Sequence, residues 1–265
     1  MSGGATPCRL CGGRTARLFE RTLLGRHRVG YAQCGVCGLT QTDEPTWLSE
    51  AYASPLAAAD TGVLARNLGA RRLVACFLHM MGVRDEPGLD YAGGYGLFVR
   101  LMRDAGFSFY WSDPYATNLF ARGFEWSPEH GAPRVVTAFE VMEHWVRPLL
   151  EFRALAGLGP DWIVTSTELH PGREPAPDWP YLVPETGQHV AFYRPDTLAR
   201  LGRDAGYPHV LAGPYYQVFA RRPVPAARWH AALRLRAVMY PLVRRLRPSF
   251  TLRDSERVRA GMPGP

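Results

Sequence analysis

Apolar positions along the chain change period in an ordered way. Gly88-Leu89-Asp90-Tyr91-Ala92 reads as a short buried strand, and it runs into the turn Gly93-Gly94-Tyr95-Gly96. Leu97, Phe98, Leu101 and Met102 then recur at helical spacing until Gly106, after which Phe107 to Trp111 reads as a second strand ending at Asp113. Asp161 to Thr167 and Tyr215 to Arg221 supply two more apolar strand segments, the second of them the last strand. Helical spacing returns over Ala226 to Leu246, where Trp229, Leu233, Leu242 and Leu246 are expected to form one apolar face. An earlier apolar helical stretch, Leu73 to Met81, holds Cys76 as a buried packing residue. Strands alternating with helices predict an α/β protein with a doubly wound sheet.

With 265 residues, 46% of them hydrophobic, the chain can build one medium-sized domain and a smaller attachment, which excludes global disorder. No apolar run approaches the roughly 20 residues a membrane span needs, and Met1 to Pro7 lacks the features of a signal peptide, so a cytoplasmic location is expected. The net charge of +7 is unevenly placed. From Arg221 onward, eleven arginines face only Asp254 and Glu256, which puts this stretch at +9 and leaves the remainder at −2. A polyanionic partner is thus a question about the tail, not the body.

Four of the five cysteines form two C-x-x-C pairs, Cys8/Cys11 and Cys34/Cys37, followed by Gly12 and Gly38. Two intervening residues let both sulfurs of a pair face one tetrahedral ion, and the glycine permits the tight turn beneath. The segment Arg14 to Gln33 is long enough for a hairpin between the pairs. In a reducing compartment this spacing predicts zinc rather than disulfides, and four protein ligands predict a structural ion.

A glycine turn between strand and helix lets a ligand approach the backbone, and an acid ending the next strand, about 20 residues on, suits ribose hydroxyls. The stretch Asp90-Tyr91-Ala92-Gly93-Gly94-Tyr95-Gly96 resembles motif I of class I methyltransferases, D/E-x-G-x-G-x-G, with Ala92 for the first glycine. One added methyl is expected to do no more than move the backbone slightly away from the donor. Arg134 to Pro148, containing Glu140-Val141-Met142-Glu143-His144, resembles the fourth strand and E-x-x-E-H-x-x-x-P segment of the methyltransferase group that includes ubiquinone-biosynthesis O-methyltransferases. Gly187 to Tyr193, with the following Asp196 to Gly206, is similar to that family's Q/E-H strand opening and late helix. The cysteine leader with its trailing Tyr52 resembles that of sugar C-methyltransferases.

The resemblance spans approximately residues 85 to 222. It implies a Rossmann-like sheet of seven strands, S-adenosylmethionine as donor, and a donor site made by Asp90, Ala92, Gly93, Gly94, Gly96, Asp113 and Phe139. The expected organisation is a zinc-binding module over 1–50, a helical lead-in over 51–84, the methyltransferase domain over 85–222 and a basic helical tail over 223–265.

Methyl transfer requires alignment and, for a hydroxyl or carbon acid, removal of a proton. By resemblance to the sugar enzymes His189 is the expected base, with Gln188 orienting substrate; the alternative is a histidine that only pins a lid. Glu140, Glu143 and His144, by resemblance to the ubiquinone-type enzymes, are candidates for a divalent ion, magnesium by its oxygen preference, near the acceptor. The alternative is that this step caps a helix or touches the donor. Glu168 to Tyr181, rich in proline, is placed to be a substrate lid, where Trp179 and Tyr181 either stack on an acceptor ring or cover the core. The tail can meet a membrane or a glycan, or be a solvated helix face.

These readings combine into methylation of an oxygen or carbon of a small-molecule acceptor: a nucleotide sugar, a glycan or a secondary metabolite. One rival is an RNA methyltransferase using the zinc module, against which stand Ala138-Phe139-Glu140 in place of N/D-P-P-Y and a module charge of only +2. The other is a zinc-containing binding protein without catalysis. The sequence leaves oligomeric state open.

Overall fold

The computed structural model describes residues 6–52, 60–170 and 172–261. The start of the expected lead-in (53–59) and Pro171 of the expected lid lie outside them, as do residues 1–5 and 262–265. The elements, in order, are β1 (Thr15–Leu23), β2 (His27–Cys34), β3 (Thr40–Thr42), α1 (Leu48–Ala51), α2 (Val63–Met80), β4 (Gly88–Tyr91), α3 (Leu97–Asp104), β5 (Phe109–Ser112), β6 (Val135–Phe139), α4 (Pro148–Gly157), β7 (Trp162–Ser166), β8 (Ala191–Phe192), α5 (Pro195–Asp204), β9 (His209–Ala212), β10 (Tyr216–Ala220), α6 (Ala226–Leu246) and α7 (Thr251–Gly261). They form a four-stranded sheet, β1-β2-β3-β8, and a six-stranded mixed sheet, β5-β4-β6-β7-β10-β9. The α/β doubly wound expectation holds.

Among the described residues the larger sheet has one strand fewer than the seven expected. At the outer edge of β5 a single parallel bridge, Trp111 to Glu125, stands where a further strand would run. Trp111 N–H donates to Phe124 O and Trp126 N–H to Trp111 O, and pairing then stops because Ser127 caps the short turn Pro128–His130. The segment Gly187 to Tyr193 supplies the short strand β8 ahead of helix α5. It enters the smaller sheet, where Thr40 pairs with Phe192 and Gln41 with Ala191.

The chain divides into two compact units, one drawing its described residues from Met1–Ala57, Phe139–Gly157 and Ile163–Arg222, the other from Ala58–Ala138, Leu158–Trp162 and Pro223–Pro265. In the first, the β1/β2 hairpin lays Leu23, Val29 and Tyr31 into a core shared with Trp47, Leu182, Val190 and Phe192. Aromatic side chains carry most of that burial, roughly 150–250 Å² each. Trp47 Nε1 donates to Gly187 O at 2.8 Å, satisfying the one polar atom the indole brings in.

In the second unit, α2 buries Leu73, Val74, Cys76 and Phe77. Phe77 meets the ring edges of Trp162 and Trp229 at 5.6 and 5.4 Å. Helix α6 keeps the bounds its periodicity predicts, but not a single apolar face: Trp229 is buried while Leu242 and Leu246 are exposed. Helix α7 is fastened by a buried bidentate pair, Arg103 Nε and Nη2 each 2.7 Å from an oxygen of Asp254, with Arg100 adding a third contact at 2.8 Å. The guanidinium of Arg103 lies 3.7 Å over the Phe124 ring.

Candidate active site

The glycine turn of the second unit follows β4, which lies parallel to both β5 and β6. Asp90 is buried and accepts a hydrogen bond from Thr137 Oγ1 at 2.6 Å. Burial drives its carboxyl up to about 7, offset by that bond and reinforced by Asp113. A Cβ on Gly93 would sit 2.6 Å from Asp90 Oδ2, so only glycine passes there. Gly94 and Gly96 have φ of 54° and 83°, in the left-handed region. Asp113 ties this turn to β5, Oδ2 accepting from Gly94 N–H at 2.8 Å and Oδ1 from the N–H groups of Tyr115 and Ala116. Trp111 Nε1 closes the loop onto Gly94 O at 2.8 Å.

Ala92 differs from expectation in kind. It sits at φ 53°, so the replacement of glycine there is a matter of backbone strain, about 1 kcal/mol, rather than of one methyl's bulk. Glu140, just past β6, is likewise at φ 54°. Phe139, expected at the donor, ends β6 with its ring 6.1 Å from that of Tyr216, edge to face.

In the first unit, Glu143, His144 and His189 bring one donor atom each within 4.8 Å of one another. Glu143 is fully buried, and its Oε1 accepts from Tyr181 Oη at 2.6 Å while Oε2 has no partner. Burial, with Glu140 nearby, pushes its carboxyl up to about 8. His144 Nδ1 shares a hydrogen with the Tyr52 hydroxyl at 2.7 Å, and burial, aided by His189, lowers this imidazole to about 3. His189 Nδ1 lies 2.7 Å from Tyr181 O. A carbonyl only accepts, so Nδ1 carries the proton and Nε2 presents a lone pair. Burial lowers His189 to about 4 even though the Tyr181 carbonyl works the other way.

The expected trio Glu140, Glu143 and His144 is therefore rearranged. Glu140 turns to Ser166, whose Oγ donates to Oε1 at 2.7 Å, and His189 takes its place in the group. Two imidazoles and one carboxylate suit a divalent transition metal better than magnesium. Gln188, expected to orient substrate, donates from Nε2 to Ala51 O at 2.8 Å. Trp179 and Tyr181 pack against the core of this unit, and Trp179 Nε1 donates to Glu168 at 3.1 Å. Sequence reasoning placed Tyr181 only in a lid and Tyr52 only in a family leader; neither carries a spacing signal linking it to Glu143 or His144.

The cysteines converge as expected. Cys8 and Cys37 Sγ are 3.5 Å apart, as are those of Cys11 and Cys34, and all four lie within 4.8 Å. Thiolates on one tetrahedral zinc at about 2.3 Å would be separated by about 3.8 Å, so the set fits that ion. Gly12 N–H donates to Cys8 O and Gly38 N–H to Cys34 O, with φ of 71° and 76°, which is the turn each glycine was expected to allow. A hydrogen bond from Cys37 favours the Cys8 thiolate, lowering it to about 5.

A family model described as a methyltransferase domain matches residues 64–211, more than half of the chain. The chain belongs to the methyltransferase domain family. The S-adenosylmethionine dependence implied by the Asp90–Gly96 motif goes with that membership. This methyltransferase is similar in structure to the magnesium protoporphyrin IX methyltransferase of Synechocystis PCC 6803 with bound SAH, at 12% identity over 66% of this chain and 94% of that one, TM-score 0.41. It is also similar to an O-methyltransferase family protein from Burkholderia thailandensis, at 20% identity over 68% of each chain, TM-score 0.46. Human N-acetylserotonin methyltransferase with SAM gives 14% identity over 67% of this chain and 66% of that one, TM-score 0.42. No curated protein matches the sequence. Among the described residues of the methyltransferase no helix is long and apolar enough to cross a membrane.

Proposed function

We propose that this S-adenosylmethionine-dependent methyltransferase methylates an oxygen or acidic carbon of a small acceptor, a nucleotide sugar, glycan or secondary metabolite, with His189 as the base. The observation that carries the reading is the fixed tautomer of His189: Nδ1–H is spent on the Tyr181 carbonyl, so Nε2 is the atom left to take a proton. A half-buried imidazole lowered to about 4 is neutral at pH 7 and ready to do so. S-adenosylmethionine, when bound, supplies an electrophilic methyl group on a sulfonium. Asp90, Ala92, Gly93, Gly94, Gly96 and Asp113 are the residues that hold it, through the turn and its hydrogen bonds. Glu143 stays protonated at neutral pH and keeps Tyr181 in place, so that the carbonyl gripping His189 does not drift. Cys8, Cys11, Cys34 and Cys37 hold structural zinc and leave the chemistry to others.

The test is His189→Asn and His189→Ala against calorimetric binding of S-adenosylhomocysteine. The expected result is a fall in kcat of about 10²- to 10⁴-fold with unchanged donor affinity. If kcat holds in both variants, His189 is not the base. Asp113→Ala should abolish donor binding. Methyl incorporation into bulk RNA, but into no small acceptor, would move the assignment to the nucleic-acid alternative.

A further inference from the structure

Helix α6 carries two apolar faces, and the fold uses one. Trp229, Ala232, Tyr240 and Val243 are its buried residues. Turned by about 115° from that face on a helical wheel, Leu235, Val238, Leu242 and Leu246 follow at spacings of three, four and four, a narrow stripe about 16 Å long. Their exposures are 52%, 79%, 59% and 60%, so four large aliphatic side chains in one row stand in solvent. Scattered exposed leucines need no explanation; an aligned row does.

The charge around the stripe selects what covers it. Between Ala226 and Leu246 there are five arginines and no acidic residue. Arg228, Arg234 and Arg245 are exposed, and on a helical wheel Arg234 and Arg245 run along one edge of the stripe while Arg228 lies in line with it. A second copy would set five arginines against five. An uncharged partner would leave these guanidiniums unanswered. A surface that is apolar beneath and negative above answers both features.

We propose that the outer stripe of α6 seats this protein on an anionic lipid surface, with Leu235, Val238, Leu242 and Leu246 entering the acyl boundary and the flanking arginines meeting phosphate headgroups. The helix lies in the plane of the surface, since its other face is committed to the core of the second unit. The proposal is independent of which acceptor is methylated.

Vesicle sedimentation of the full chain tests it, using phosphatidylcholine vesicles with and without phosphatidylglycerol. Partition onto the anionic vesicles alone is expected, weakening as salt is raised. Leu235→Glu/Leu242→Glu and Arg234→Glu/Arg245→Glu should each reduce it by about tenfold or more, with thermal unfolding unchanged because all four side chains are exposed. Leu64→Glu, exposed on α2, should leave binding intact. No partition, or equal partition onto both vesicle types, overturns the proposal. So does a dimer in solution that Leu242→Glu dissociates, because a second copy then covers the stripe.

Discussion

In the second unit the donor turn is shaped by backbone, with Gly93, Gly94 and Gly96 leaving space and Asp113 binding N–H groups two to nineteen residues away. In the first unit the polar cluster is built from side chains, and Tyr52, Glu143, Tyr181 and His189 come from four separate stretches of chain. A backbone site needs only local sequence to form. A side-chain cluster has to be held from outside, and the holding is done by the cysteine leader. Val190 O, one residue from His189, accepts from Thr42 N–H and from Arg9 Nη2 at 2.6 Å, and Arg9 lies between two of the cysteines. Thr197 Oγ1 donates to Cys37 O at 2.8 Å.

The largest effect that can separate the two regions is metal removal. Chelation, or Cys34→Ser, should cost several kcal/mol and loosen the cysteine leader with its β1/β2 hairpin, read by the fluorescence of Trp47, while donor binding survives. Parallel loss of donor binding would break the contrast. Gly93→Val should do the reverse. Its Cβ, 2.6 Å from Asp90 Oδ2, should weaken S-adenosylhomocysteine by about 10- to 100-fold in calorimetry through roughly 1–3 kcal/mol of overpacking, with the metal content unchanged.

Tyr181→Phe sharpens the comparison further, because it removes the hydroxyl on Glu143 but leaves the backbone carbonyl on His189. A stability loss of about 1–3 kcal/mol is expected from the stranded buried carboxyl. The acid limb of kcat/KM should stay near pH 4, where His189 titrates. If the limb moves towards 6.5, the histidine has lost its burial.

The thermal midpoint should peak near pH 6.5. Below it, the unfolded chain protonates His144, His170 and His189, which the fold lowers to about 3, 4 and 4, so their contribution is lost as pH falls. Above it, Glu143 holds in the fold, up to about 8, a proton that the unfolded chain releases near 4.5, so stability falls as pH rises. Glu143→Gln should flatten that alkaline limb. The smallest effect is Ala92→Gly, worth up to about 1 kcal/mol of added stability from relief at φ 53°.

The sequence exposes these regions unequally for the same reason. Strand, turn, helix and acid lie within Gly88 to Asp113, and local periodicity places them with boundary errors of a residue or two. Strand β5 begins at Phe109 rather than Phe107 because Gly106, at φ 79°, lets Phe107 N–H still serve the helix by donating to Met102 O. The cysteine knuckles were readable because two ligands sit in one short word. Nothing in the order of residues says that Gly187 to Tyr193 leaves the large sheet for β3, that Glu140 turns to Ser166, or that Leu242 faces outward. Each of those is decided by a partner distant in sequence.

Pairing of Thr40 with Phe192 also sets a timetable. The leader emerges from the ribosome before β8, so the outer edge of β3 is not covered until about 150 residues later, some 8–30 s at ordinary rates of synthesis. An uncovered strand edge beside four free thiols is a hazard during that interval. Early capture of the ion would keep the nascent leader folded back on itself while it waits for β8 to be made.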